Sequence, residues 1–272
     1  MLKQRVITAI ILVTLFLAAV FKLPASGWSA LVALMVMQGA HEWSRLAKMG
    51  ARSSWVYVGV MLLSYVALQW IMLNCQAQQR YIMQMMVYGA AVAFWVLLVP
   101  LWLKGVLKSQ NIWVLGAVGW LVLLPVAMAM QDLHAASPQP WWLLGVMGLV
   151  WVADISAYFT GRKFGKNKMS PNISPGKTWE GVAGAVLGVM IYVVVVLELS
   201  GMTQHYVLLP LAIIGVVFSV IGDLFESAIK RQAGVKDSGA LLPGHGGLLD
   251  RIDALTSTLP IAAMLLIIFN YL

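Results

Sequence analysis

Long apolar runs alternate with short polar interruptions along this chain, and each run is about as long as a membrane crossing. Nine can be marked, at roughly 6–21, 25–40, 55–73, 81–103, 112–130, 141–160, 181–199, 206–225 and 254–272. A bilayer core takes about 20 residues of helix to cross. The pattern therefore predicts an all-α polytopic membrane protein with about nine transmembrane helices. The first run follows Lys3 and Arg5 but leads to no small-x-small cleavage site, so it reads as a retained helix rather than a signal peptide.

The polar interruptions are unequal. Segments 131–140 and 200–205 are short and nearly uncharged, whereas 161–180 and 226–253 are long and polar. No repeat, low-complexity tract or soluble appendage is visible. Composition agrees with a lipid environment: 61% of residues are hydrophobic and only 10% charged, where soluble domains run near about 25% charged.

A net charge of +8 first suggests nucleic acid, but placement of the charges gives another reading. With a cytoplasmic N-terminus, 16 of the 18 basic residues fall on the inner side, and only Lys22 and Arg80 fall outside. Such a bias is the positive-inside rule. It predicts a cytoplasmic N-terminus, a periplasmic C-terminus and no nucleic-acid partner. The single cysteine, Cys75, excludes an intrachain disulfide and a cysteine metal cluster.

The acids gather late. Of ten, seven lie after position 150 once Glu198, on the outer side, is set aside. Carboxylates at membrane depth are costly and usually functional. Asp154 is the deepest, in WVADISAYFTG. Asp223 and Glu226, in IGDLFESAIKR, share a helical face, with Ser227 one turn from Asp223. Asp250 and Asp253, in GGLLDRIDA, repeat the spacing at a helix start, where capping and dipole complementation are the plainer account and need not exclude metal binding. An all-oxygen donor set suits Mg²⁺. No His or Cys spacing suggests zinc; His41 and Glu42 form no HExxH and read as interfacial.

Phosphate-binding elements accompany the acids. Pro243-Gly244-His245-Gly246-Gly247 is a glycine-rich turn entering a helix, flanked by Lys230, Arg231, Lys236 and Arg251. Glycines let backbone N–H groups approach an oxyanion. Segment 161–180 carries Arg162, Lys163, Lys166, Lys168 and Lys177, which suit topogenic charge and anionic headgroups. Its Gly176-Lys177-Thr178 mimics the end of a Walker A loop, but Pro171 stands at the first glycine position and no strand is expected before it. A secondary transporter would use intramembrane carboxylates as ion relays, yet the two halves are dissimilar and the polar residues cluster on one side. A non-catalytic scaffold leaves the glycine turn and paired acids without a purpose.

The run from Ser227 to Asp253 resembles the signature of phosphatidate cytidylyltransferases, also called CDP-diacylglycerol synthases. Ser227, Lys230, Arg231, Lys236, Asp237, Pro243, His245, Gly246, Gly247, Asp250, Arg251 and Asp253 fill its defining positions. ADISAYFTGRKFGK and SPGKTWEG are similar to that family too. The resemblance implies a reaction in which CTP and phosphatidate give CDP-diacylglycerol and pyrophosphate, with Mg²⁺. It also implies a homodimer, in a bacterial inner membrane, with the active site facing the cytoplasm. Asp223 and Asp250 are the implied metal ligands, Asp253 joins them as a ligand or orienting group, and a second cation can lie nearby. Lys230, Arg231, Lys236, His245 and Arg251 are the expected catalytic groups that offset phosphate charge. Asp154, Lys177, Ser227, Asp237, Gly246 and Gly247 are expected to bind substrate. Residues 141–272 would form the catalytic part, and residues 1–140 would serve assembly or lipid entry. The close rival is a related enzyme acting on a polyprenyl phosphate.

Overall fold

The computed structural model describes residues 2–136, 140–201, 205–241 and 246–269. Its helices are α1 (Leu2–Lys22), α2 (Ala25–Leu46), α3 (Ala51–Asn74), α4 (Ala77–Ala93), α5 (Val99–Leu103), α6 (Ile112–Ala135), α7 (Trp141–Phe164), α8 (Trp179–Ser200), α9 (Leu208–Ala233) and α10 (Leu249–Ile268). A π-helical turn, Phe94–Leu98, joins α4 to α5, with the Val99 N–H reaching back to Phe94 O. Pro100 follows and has no N–H to continue the regular ladder. Among the described residues the segments thus make nine helical rods.

Seven rods are long and apolar enough to cross a bilayer: α3, the α4–α5 rod, and α6 to α10. The count of nine from sequence is met in helices, while α1 and α2 fall outside the seven. The apolar stretch described for α1 is the short Ile10–Lys22, and α2 ends in the polar residues Gln38, His41, Glu42, Ser44 and Arg45.

Helix ends explain why the acids sit on helices rather than in loops. The apolar run 206–225 stops early, but α9 continues to Ala233 and ends where Gly234 takes the left-handed conformation at φ 82°. Likewise α10 begins at Leu249, before its apolar run. Asp223, Glu226, Lys230, Asp250 and Asp253 therefore ride on the outer turns of two neighbouring helices.

Packing is tightest where side chains are small. α7 lies along α8. A Cβ at Gly184 would come 2.2 Å from Thr160 Oγ1, and one at Gly188 would come 2.1 Å from Ser156 Oγ. Such small residues let backbones approach and gain dispersion contacts, the main attraction available between helices in lipid. α6 and α10 form the middle, with 61% of their apolar windows buried, against 22% for α3.

One element departs from the all-helical expectation. Lys168–Ser170 (β1) and Ser174–Thr178 (β2) pair antiparallel between α7 and α8, with Lys168 opposite Thr178. The expectation that no strand precedes Lys177 is thus corrected. Thr178 then caps α8, its Oγ1 accepting from Gly181 N at 3.1 Å. Glu180 accepts from Asn167 N and Nδ2, which ties the hairpin base to α8.

Both long polar segments lie at the same end of the bundle. The Arg231 Nε donates to Ile173 O at 3.5 Å, and the Gln232 Nε2 donates to Ser109 O. The C-terminal turns of α2, α7 and α9 and the first turns of α8 and α10 meet there.

Candidate active site

Phe225 fixes the face that α9 shows to the site. Its ring sits among Trp43, Phe94, Trp95 and Trp102, with centroids 5.4–6.4 Å away. This buried aromatic set holds α9 against α2 and the π-helical rod. The neighbouring polar positions, Asp223, Glu226, Ser227 and Lys230, are left to meet α10 and the hairpin.

Two connected charge clusters result. In the first, Lys177 Nζ of β2 lies 2.7 Å from Asp223 Oδ2, and Ser227 Oγ donates to Asp223 Oδ1 at 3.3 Å. Asp154 of α7 lies near enough to feel the charges of both Asp223 and Lys177. Asp154, Lys177 and Asp223 share a cavity of about 610 Å³ with Tyr158, Arg162 and Lys168. Its walls come from α7, α8, α9 and the hairpin.

The second cluster centres on Lys230. Its Nζ lies 2.6 Å from Glu226 Oε2 and donates to Asp250 Oδ1 at 2.6 Å. These side chains are largely withdrawn from solvent. Asp250 Oδ2 accepts from Ser238 N at 2.9 Å, Ser238 Oγ at 2.9 Å and Gly247 N at 2.8 Å. Gly246 makes the approach: its φ is 79°, and a Cβ there would sit 2.6 Å from Asp250 Oδ2. Asp253 Oδ1 accepts from Ala254 N at 2.8 Å, one turn along α10 from Asp250. Buried Glu226 Oε1 has no hydrogen-bond partner among the described residues.

The structure therefore brings together Asp154, Lys177, Asp223, Ser227, Lys230, Gly246, Gly247, Asp250 and Asp253. Four others, Arg231, Lys236, Asp237 and Arg251, stand outside this group. Arg231 is exposed and turns to the hairpin, and Lys236, Asp237 and Arg251 are exposed at the surface. His245, with Pro243 and Gly244, lies outside the described residues. No three His, Cys, Asp or Glu side chains among the described residues are grouped as ligands to one ion.

Sequence reading left out several neighbours. Arg162 and Lys168 read as topogenic charge, yet they line the cavity. Ser238 was unmarked and bonds Asp250 twice. Glu42 read as interfacial, but it is 1% exposed and accepts from Leu248 N and Leu249 N at 2.9 and 2.8 Å. A signal was present: Glu42 and Asp132 are the only acids in the first 150 residues, and a carboxylate in an apolar helix asks for a partner.

Fold and site together define a multi-pass helical membrane protein with acids and lysines collected at one end of its bundle. The chain belongs to the cytidylyltransferase family, which it matches over residues 3–269, and it is a nucleotidyltransferase. It is 38% identical over 269 residues to a phosphatidate cytidylyltransferase of Pseudomonas aeruginosa, covering 98% of this chain and 97% of that one. It is 33% identical over 282 residues to the phosphatidate cytidylyltransferase of Haemophilus influenzae, covering 96% of each chain. The Thermotoga maritima phosphatidate cytidylyltransferase is 48% identical over 123 residues, 43% of this chain and 46% of that one.

Proposed function

We propose that this chain transfers a cytidylyl group from CTP to phosphatidate, giving CDP-diacylglycerol and pyrophosphate for phospholipid synthesis. The observation that carries the reading is the meeting of Asp154, Lys177 and Asp223 at one cavity in a chain of this family.

A phosphate oxygen of the lipid attacks the α-phosphorus of CTP. A new P–O bond forms, and the bond from the α-phosphorus to the bridging oxygen breaks, releasing pyrophosphate. The attacking oxygen is already anionic, so no strong base is needed. The difficulty is bringing two polyanions together, which positioning and charge neutralisation solve. Lys177, with Arg162 and Lys168 on the cavity wall, offsets that charge. Lys230 fixes Asp250, while Arg231, Lys236 and Arg251 supply positive charge at the approach, where Arg can grip a phosphate through two bonds. Ser227, Asp237, Gly246 and Gly247 belong to the substrate-binding set, and His245 to the groups supporting the phosphates.

The donor chemistry fits a divalent ion. The carboxylates are all-oxygen donors, buried Glu226 Oε1 has no hydrogen-bond partner among the described residues, and the Lys177 and Lys230 ammoniums stand where positive charge is called for. Asp223, Asp250 and Asp253 would hold Mg²⁺, with a second cation nearby. Bound there, the ion would supply charge neutralisation for the CTP phosphates.

Phosphatidate keeps its headgroup at the interface and CTP arrives from the cytoplasm. The site end of the bundle accordingly faces the cytoplasm of a bacterial inner membrane, with the N-terminus inside and the C-terminus in the periplasm. Residues 141–272 carry out the transfer, residues 1–140 serve assembly or lipid entry, and the working form is a homodimer. Labelled CTP offered with phosphatidate or with a polyprenyl phosphate tests the acceptor. Label should enter lipid with phosphatidate alone, and preferential labelling of the polyprenyl phosphate contradicts the assignment.

A further inference from the structure

We infer that Glu42, on α2, is a positioning residue for the transfer, holding Ser238, Leu248 and Leu249 and through them Asp250. The inference rests on the reading that Asp250 belongs to the reacting site.

Its carboxylate is 1% exposed and meets no cation in an ion pair among the described residues. Four donors satisfy it instead: Gln38 Nε2 at 2.7 Å, Leu249 N at 2.8 Å, Leu248 N at 2.9 Å and Ser238 Oγ at 3.0 Å. Three of the four come from residues 196 to 207 positions away. α10 receives no side-chain cap from its own N-cap residue, Leu248. Glu42 supplies that cap from another helix, placing negative charge where the unpaired N–H groups and the helix dipole favour it.

The link to Asp250 is a single hydroxyl. Ser238 Oγ lies 3.0 Å from Glu42 Oε2 and 2.9 Å from Asp250 Oδ2. A hydroxyl has one proton, so it serves one carboxylate at a time, and displacement of Glu42 reorganises the bonds to Asp250. The backbone closes tightly around this acid. A Cβ at Gly239 would lie 2.9 Å from Glu42 Oε1, and one at Gly247 would lie 2.5 Å from Oε2. Glu42 is buried and both its oxygens are taken up by donors of the chain itself, so it acts through the groups it holds rather than by touching substrate.

The test assays purified full-length E42Q, G239A and D250N in one detergent, varying CTP and phosphatidate separately. Gln keeps the size of Glu but turns one acceptor into an NH₂ group facing N–H donors. Per folded molecule, E42Q should lose at least about 10-fold in kcat while either KM moves less than about 3-fold, since small misplacements of reacting groups are costly. A merely structural strut would reduce the folded fraction and leave kcat of the folded molecules unchanged. Wild-type kcat in folded E42Q, with D250N impaired, overturns the inference alone. Wild-type kcat in D250N overturns the site reading beneath it. Should E42Q not fold, G239A decides, since it keeps the carboxylate but presses on it. A fall in kcat of at least about 5-fold supports the inference, and no fall overturns it.

Discussion

At Lys230 one ammonium serves two carboxylates, Glu226 and Asp250, both 2.6 Å away. Removing the partner of a buried charge costs more than the pair contributes, because the remaining charge has lost its solvation. Lys230→Met leaves two such acids and should lower stability by about 3–5 kcal/mol, seen as a reduced unfolding midpoint in detergent. An unchanged midpoint would show that water reaches these acids. Spacing alone revealed the acid pairs Asp223 with Glu226 and Asp250 with Asp253, because positions three apart share a helical face. Their partners were not legible. Lys177 reaches Asp223 across 46 positions and Lys230 reaches Asp250 across 20, and no local pattern encodes such contacts.

Between elements, the α7–α8 seam controls the cavity, since both helices line it. Gly188 sits against Ser156, one turn beyond Val152, and leaves no room for a side chain. Gly188→Leu should separate the helices and lower the unfolding midpoint, and Gly59→Leu, at an open position on α3, should not. Equal effects would contradict close packing at the seam. The helices themselves were readable as apolar runs, because lipid leaves little freedom in span length. The hairpin was not. Strands of three and five residues containing Pro175 and Gly176 carry no alternation to detect. Helix ends escaped as well, since α9 and α10 extend past their apolar runs by polar turns that carry the acids.

Across the whole molecule, Lys177, Lys230 and Arg231, three of the basic residues expected on the inner side, lie at the end that holds the site. Cys75 belongs to the opposite end, between α3 and α4. In intact cells Cys75 should react with a membrane-impermeant maleimide. Gln110→Cys in a Cys75→Ser background should react only after permeabilisation, and the reverse pattern would invert the topology. Charge bias supplies this expected orientation, whereas the bond from Glu42 to the start of α10 spans 207 positions and could emerge only from the fold. That bond also crosses the division drawn at residue 140, so helix α2 takes part in building the site. The central claim is that acids and lysines at this end of the bundle carry the transfer. Its most direct measurement is turnover of purified Asp223→Asn and Asp250→Asn with CTP, phosphatidate and Mg²⁺. Each variant should insert and elute like the parent yet lose at least about 100-fold in rate, about 2.7 kcal/mol of transition-state stabilisation. Near-normal turnover in either variant would contradict the account.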